Sequence, residues 1–347
     1  MSSGSQKPGA RCETESTGRL RAALPLPPPS FAKRLLQSEY LVLLLSLLYF
    51  AAVLPFTPGL ASRENLGNIL FTLLPLFIVA IGQTLVLITG GIDLSVTSIM
   101  ALTSVTGALL MNAENGWLAG SLWAVPAGLL AMLLVGGLVG LLNGVAITRF
   151  RMPPFIVTLT TMIFFSGLAI WLTKSKTIYH LPAAFNALGG RTGIAFLITA
   201  ALGLAAHAML SRSLFGRWLY AVGHNAKASL ISGVPVTGVV VTAYVVSGVF
   251  AAIAAVLYTG QAETGSPVLG QRLLLDIVGA TVIGGTSLFG GKGKILWTLF
   301  GVLFIKLIDN SLNLLDLSYF SIMMVKGGVI LFAALMDSVR TRLAVAA

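Results

Sequence analysis

Ten long apolar runs follow one another along this chain, at 41–56, 69–89, 96–111, 118–147, 155–172, 194–210, 236–258, 273–283, 295–308 and 320–336. Seven carry no charge, and the others carry one each: Asp276, Lys306 and Lys326. About 20 apolar residues in a helix cross the hydrocarbon core of a bilayer. Only helices and closed barrels satisfy every backbone polar group there, and barrel strands alternate in polarity instead of running apolar. The runs therefore predict an all-α polytopic membrane protein of about ten helices. Eight or nine is the lower count, because 273–283 is short enough to be a broken or re-entrant helix and 118–147 is long enough to tilt or hold an interfacial turn. Composition excludes the alternatives. Of 347 residues 56% are apolar and 10% charged, where about 25% is usual for soluble domains. A soluble or disordered chain does not tolerate that balance.

The net charge is +11. No Lys/Arg run is interleaved with aromatics, so nucleic acid is not the expected partner. A cytoplasmic N-terminus and ten alternating spans put Lys7, Arg11, Arg19, Arg21, Lys33, Arg34, Arg149, Arg151, Arg212, Arg217, Lys227, Lys292, Lys294, Arg340 and Arg342 inside. Arg63, Lys174, Lys176, Arg191 and Arg272 fall outside, which is 15 against 5. The positive-inside rule then predicts both termini in the cytoplasm. Residues 1–34 are polar, with Pro27–Pro29 and the single cysteine, Cys12, and read as a disordered tail without signal-peptide character. Residues 35–347 form the membrane domain. In the fourth run Gly136, Gly140 and Gly144 have the small-xxx-small spacing of close helix packing.

Between the second and third runs stands Thr89-Gly90-Gly91-Ile92-Asp93-Leu94-Ser95. Paired glycines break a helix, and Asp93 and Ser95 suit the start of the next one. Two readings stay open: a helix cap, or a hinge or pathway constriction at a broken helix. Gln83 is the only amide in the second run, and either lines a pathway or bonds across helices.

The stretch Ile88 to Val96 resembles the signature of permease subunits of ribose/xylose/arabinose-type ABC sugar importers. Three further segments resemble the same family in the same order. They are Phe215–Asn225 running to Ser232-Gly233-Val234; Asp276 followed by Val282-Ile283-Gly284-Gly285-Thr286-Ser287-Leu288-Phe289-Gly290-Gly291-Lys292-Gly293; and Asn310 to Leu315 with Val325-Lys326-Gly327. The resemblance implies a type II ABC-importer-like bundle in the bacterial inner membrane. It implies a second permease subunit, a cytoplasmic ABC ATPase that uses ATP and Mg, and a periplasmic sugar-binding protein. The chain itself is then expected to bind no cofactor or metal, to be no enzyme, and to carry a monosaccharide or small polyol. The segment Gly285–Lys292 is close to a P-loop but fails it. An extra glycine precedes Lys292, and Gly293 stands where the hydroxyl belongs.

The loop at 211–235 holds a short helix expected over 226–232, with Asn225 as cap and Gly233 and Pro235 as stop. So short a helix must dock on something. One reading is the membrane surface, with Trp218 and Tyr220 as anchors. The resemblance implies instead a coupling helix in a groove of the ATPase. Ala226 and Lys227 stand where the family usually has two acidic residues, and His224 where it has a small one. Together these readings place pathway and hinge residues at Gln83, Gly90, Gly91, Asp93, Ser95, Asp276, Gly284, Gly285 and Lys326. They place ATPase coupling at Gly216, Arg217, Gly223, Asn225, Ser232 and Gly233. Lys306 and Asp309 are expected to pair with each other, with the lysine snorkelling. The competing class is an ion-coupled secondary transporter, disfavoured because most spans lack a central carboxylate. No catalytic triad or metal-ligand spacing among His180, His207 and His224 supports an enzyme.

Overall fold

The computed structural model describes residues 40–345, with side chains described to residue 335. The expected tail at 1–34 lies outside the described residues. Among the described residues six helices are long and apolar enough to cross a membrane: α2 (Arg63–Ile88), α4 (Ala124–Arg149), α5 (Pro154–Thr173), α7 (Thr192–Arg212), α10 (Val236–Ala262) and α12 (Ile295–Leu314). Four further helices with shorter apolar stretches fill the remaining runs: α1 (Leu41–Val53), α3 (Val96–Met111), α11 (Leu274–Ile283) and α13 (Tyr319–Val345). Three short helices complete the described residues: α6 (Ala183–Gly190), α8 (Leu214–His224) and α9 (Ala226–Ile231). The chain is an all-helical, multi-pass membrane protein.

Local sequence sets the helix ends. The Ser62 hydroxyl accepts from the Asn65 amide at 3.2 Å and opens α2. Pro154 opens α5, which closes on Lys174 in the left-handed region, and Pro235 precedes α10, which closes the same way on Glu263. Several boundaries differ from the sequence reading. The second span begins at Arg63, six residues early, and the seventh and tenth run on to Ala262 and Val345. The fourth span begins at Ala124, because residues 116–123 fold into turns. The ninth runs on to Leu314, with Lys306 and Asp309 inside it.

Every residue of α2 from Leu73 to Ile88 is buried, so α2 is the axis of the bundle. A helix that is apolar all round belongs in such a position. It packs on α10, α12, α7 and α11. The α4–α10 contact is the closest in the bundle. A Cβ on Gly140 would fall on the Tyr244 carbonyl, Gly136 and Gly248 face each other's carbonyls, and a Cβ on Gly144 would stand 2.8 Å from Val241 Cα. The small-xxx-small stripe is thus a packing seam.

Candidate functional site

Asp93 is fully buried in the break between α2 and α3. Its Oδ1 accepts from the Ser95 amide at 3.0 Å and the Ser95 hydroxyl at 2.6 Å, and its Oδ2 accepts from the Ser247 hydroxyl of α10 at 2.9 Å. Asn143 Nδ2 of α4 donates to Ser95 Oγ at 2.8 Å. The Tyr244 and Thr158 hydroxyls each donate to the Ile92 carbonyl at 3.2 Å. Three helices, α4, α5 and α10, therefore converge on seven residues of loop. The carboxylate closes the turn before α3 and does not cap the helix itself, whose N-cap position, Ser95, makes no capping bond from its side chain. Gly91 admits the Tyr244 ring, because a Cβ there would meet Tyr244 Oη at 2.5 Å.

Three segments that are far apart in sequence meet below α2. The Gly291 amide donates to the Ile88 carbonyl at 2.9 Å. A Cβ on Gly290 would lie 2.9 Å from both the Gly90 nitrogen and the Gly223 carbonyl, and one on Gly223 would fall on the Ile88 carbonyl. Gly90 and Gly290 both hold positive φ, at 80° and 86°, so glycine is required twice over here. The Tyr220 hydroxyl donates to the Gly293 carbonyl at 2.6 Å. Burial pushes that phenol above its ordinary value, which keeps it a donor. Tyr220 is thus tied into the protein by its hydroxyl. Gly284 belongs to the same loop, where a Cβ would meet the Trp297 carbonyl at 2.5 Å, and Gly285 turns it at φ 103°.

The expected short helix is α9. Asn225 Oδ1 accepts from the Ala228 amide at 3.0 Å, Ser232 follows the last turn, and Gly233 takes φ 81°. The helix before it, α8, was not expected. Ser213 opens it by accepting from Gly216 N at 3.0 Å, and Gly216, Leu219 and Val222 form its buried face. That three-residue spacing was the available signal. Gly216 permits the corner, since a Cβ would fall on the Leu210 carbonyl. Arg217, Asn225 and Ser232 are exposed, as are Leu230 and Ile231.

At the opposite end of the bundle four charges gather. Lys326 Nζ lies 2.9 Å from Asp276 Oδ1 and 3.0 Å from Asp309 Oδ1, and Lys306 Nζ lies 3.8 Å from Asp309 Oδ2. The expected Lys306–Asp309 pair forms, but the closer partner of Asp309 is Lys326, and Lys306 is buried instead of snorkelling. Two lysines and two aspartates cancel. Beside them Asn65 and Asn310 exchange amide hydrogen bonds, both at 2.8 Å, joining α2 to α12. Gln83 stands apart from both groups, fully buried, with neither amide atom hydrogen-bonded to the protein. Ser247, Tyr244, Asn143 and Asn65 were missed by the sequence reading, since a lone polar residue in an apolar run gives no sign of which loop or helix it meets.

The family described as branched-chain amino acid transport system / permease component matches residues 65–334. The ribose import permease protein RbsC of Bacillus subtilis (strain 168) is 37% identical over 291 residues, covering 81% of this chain and 86% of that protein. The RbsC protein of Escherichia coli (strain K12) is 35% identical over 312 residues, covering 88% and 94%. The L-arabinose ABC transporter permease protein AraH of Azospirillum brasilense is 31% identical over 303 residues, covering 86% and 87%. No solved structure matches the chain.

Proposed function

The chain belongs to this permease family, and from that premise we propose how it works as the membrane subunit of a sugar ABC importer. The likeness to ribose and arabinose permeases over more than four-fifths of the chain carries the function: it forms the translocation pathway for a monosaccharide or related small polyol. It has no ATP-binding site of its own. A separate ATPase subunit, with ATP and Mg, drives the cycle, and a binding protein delivers the sugar. We place the chain in the bacterial inner membrane beside a second permease subunit, with α8 and α9 on the cytoplasmic side. Arg149, Arg151, Arg212, Arg217, Lys227, Lys292 and Lys294 all lie at that end, which supports this orientation.

In this reading α9 is the coupling helix. Its exposed tip enters the ATPase, and its motion passes through Gly223 and Tyr220 to Gly90 and Gly290, and so to α2, α3, α11 and α12. Asp93 and Ser95 hold the moving loop as one piece against α4 and α10. Gln83 is the polar group of the pathway, with Gly90, Gly91, Gly284 and Gly285 as hinges. Asp276 and Lys326 fix the outer ends of α11 and α13.

The test is reconstitution with the ATPase and binding protein encoded beside the permease. Ribose- or arabinose-loaded binding protein stimulates ATP hydrolysis if the reading holds. In Gly233→Pro the bundle inserts normally and the stimulation is lost. Full stimulation in that variant refutes the coupling role of α9.

A further inference from the structure

Phe289 is 82% exposed, beside the half-exposed Leu288, at the apex of a turn closed by the Ser287 amide on the Lys292 carbonyl at 3.0 Å. A second bond, from the Phe289 amide to Ser287 Oγ at 3.2 Å, fixes the apex. An exposed aromatic at a membrane protein's edge usually meets lipid. This one is not at the edge. The turn lies under the end of α2, the buried axis of the bundle, where Gly291 bonds Ile88 and the Phe289 carbonyl approaches Gly90. With α8 and α9 in the cytoplasm, as proposed above, a turn beneath the buried axis faces the aqueous space under the bundle.

The same turn abuts α8, where a Cβ on Gly291 would press on the His224 ring at 2.7 Å, and α9 begins two residues later. Two exposed apolar tips, Leu230-Ile231 and Leu288-Phe289, therefore stand on one end of one rigid glycine contact. Arg217, Lys227 and Lys292 are exposed on the same segments. We infer that the Leu288-Phe289 turn is a second docking contact for the ATPase subunit, seated beside α9 in an apolar recess with an acidic rim. The inference rests on the coupling reading of α9. Two contacts on either side of the α2 end would make the ATPase press directly on the loop that α2 and α3 share, instead of reaching it through α9 alone.

The test places the photo-crosslinking residue p-benzoylphenylalanine at Phe289, at Ile231 and at the lipid-facing Phe332, in the purified complex with the co-encoded ATPase. ATPase adducts at 289 and 231, and none at 332, are expected. An adduct at 231 without one at 289 overturns the second contact and leaves the role of α9 standing. Absence at 231 refutes the coupling reading itself. A permease–permease or lipid adduct at 289 in place of the ATPase also overturns the inference. As a second measurement, Phe289→Asp lowers ATPase co-purification about tenfold, the effect of losing a central interface anchor, while Phe289→Leu retains it. Equal recovery with Phe289→Asp overturns the inference.

Discussion

Gln261 Nε2 of α10 donates to the Phe71 carbonyl of α2 at 3.0 Å. Phe71 is the carbonyl that Pro75, lacking an N–H, leaves without its helical partner. A side chain from the neighbouring helix supplies the missing donor, so the proline sits inside the axis helix without an orphaned acceptor. Gln261→Leu is expected to destabilise the protein by about 0.5–1.5 kcal/mol, the net worth of a part-buried hydrogen bond. Pro75→Ala restores the backbone donor, and in that background the loss from Gln261→Leu shrinks. Thermal unfolding of the four proteins in detergent measures this coupling.

Removing the Ser247 hydroxyl takes one of three donors from a fully buried carboxylate. Hydrogen bonds to charged groups contribute about 1.5–3 kcal/mol, and Ser247→Ala is expected to lose that much. Asp93→Asn costs less in the Ser247→Ala background than in the native chain. A double-mutant cycle on unfolding midpoints reads the difference.

Lys326→Met leaves the buried Asp276 without its counter-charge, while Asp309 keeps Lys306 at 3.8 Å. Breaking a buried pair from one side costs about 3–5 kcal/mol. The variant accumulates poorly in membranes, and Asp276→Asn added to it recovers part of the yield. Identical yields for single and double variants would show that the pair does not set stability.

The orientation is checked with single cysteines in a Cys12→Ser background. Asn115 and Arg191 are exposed at the end opposite α9, and Lys227 is exposed on α9. An impermeant thiol reagent added to whole cells labels the first two positions and spares the third. The reverse pattern inverts the proposed topology.

The apolar runs located the six membrane-length helices of the described residues because hydropathy is a property of a segment alone. Asn225 and Gly233 were legible for the same reason: a cap and a stop act on their own helix. What the sequence concealed was the meeting of distant parts. The Gly90, Gly223 and Gly290 motifs could each be seen, but nothing in any of them says that they share one contact, since a glycine's use there is the absence of a side chain. Asp309 was assigned to Lys306 because three residues on a helix are neighbours. The structure gives its closer contact to Lys326, which reaches it from another helix.

The Asp276–Lys326 pair also sets an order of events during synthesis. The two residues are 50 positions apart, and the lysine is the later one. At about 5–20 residues per second the ribosome delivers Lys326 roughly 2–10 s after Asp276. For that interval α11 holds a carboxylate whose counter-ion has not yet been made, and Lys306 on α12 arrives in between. Until α13 is made, α11 therefore carries a carboxylate without its closest counter-charge, and a chain truncated before α13 is expected to accumulate less in membranes than the full chain.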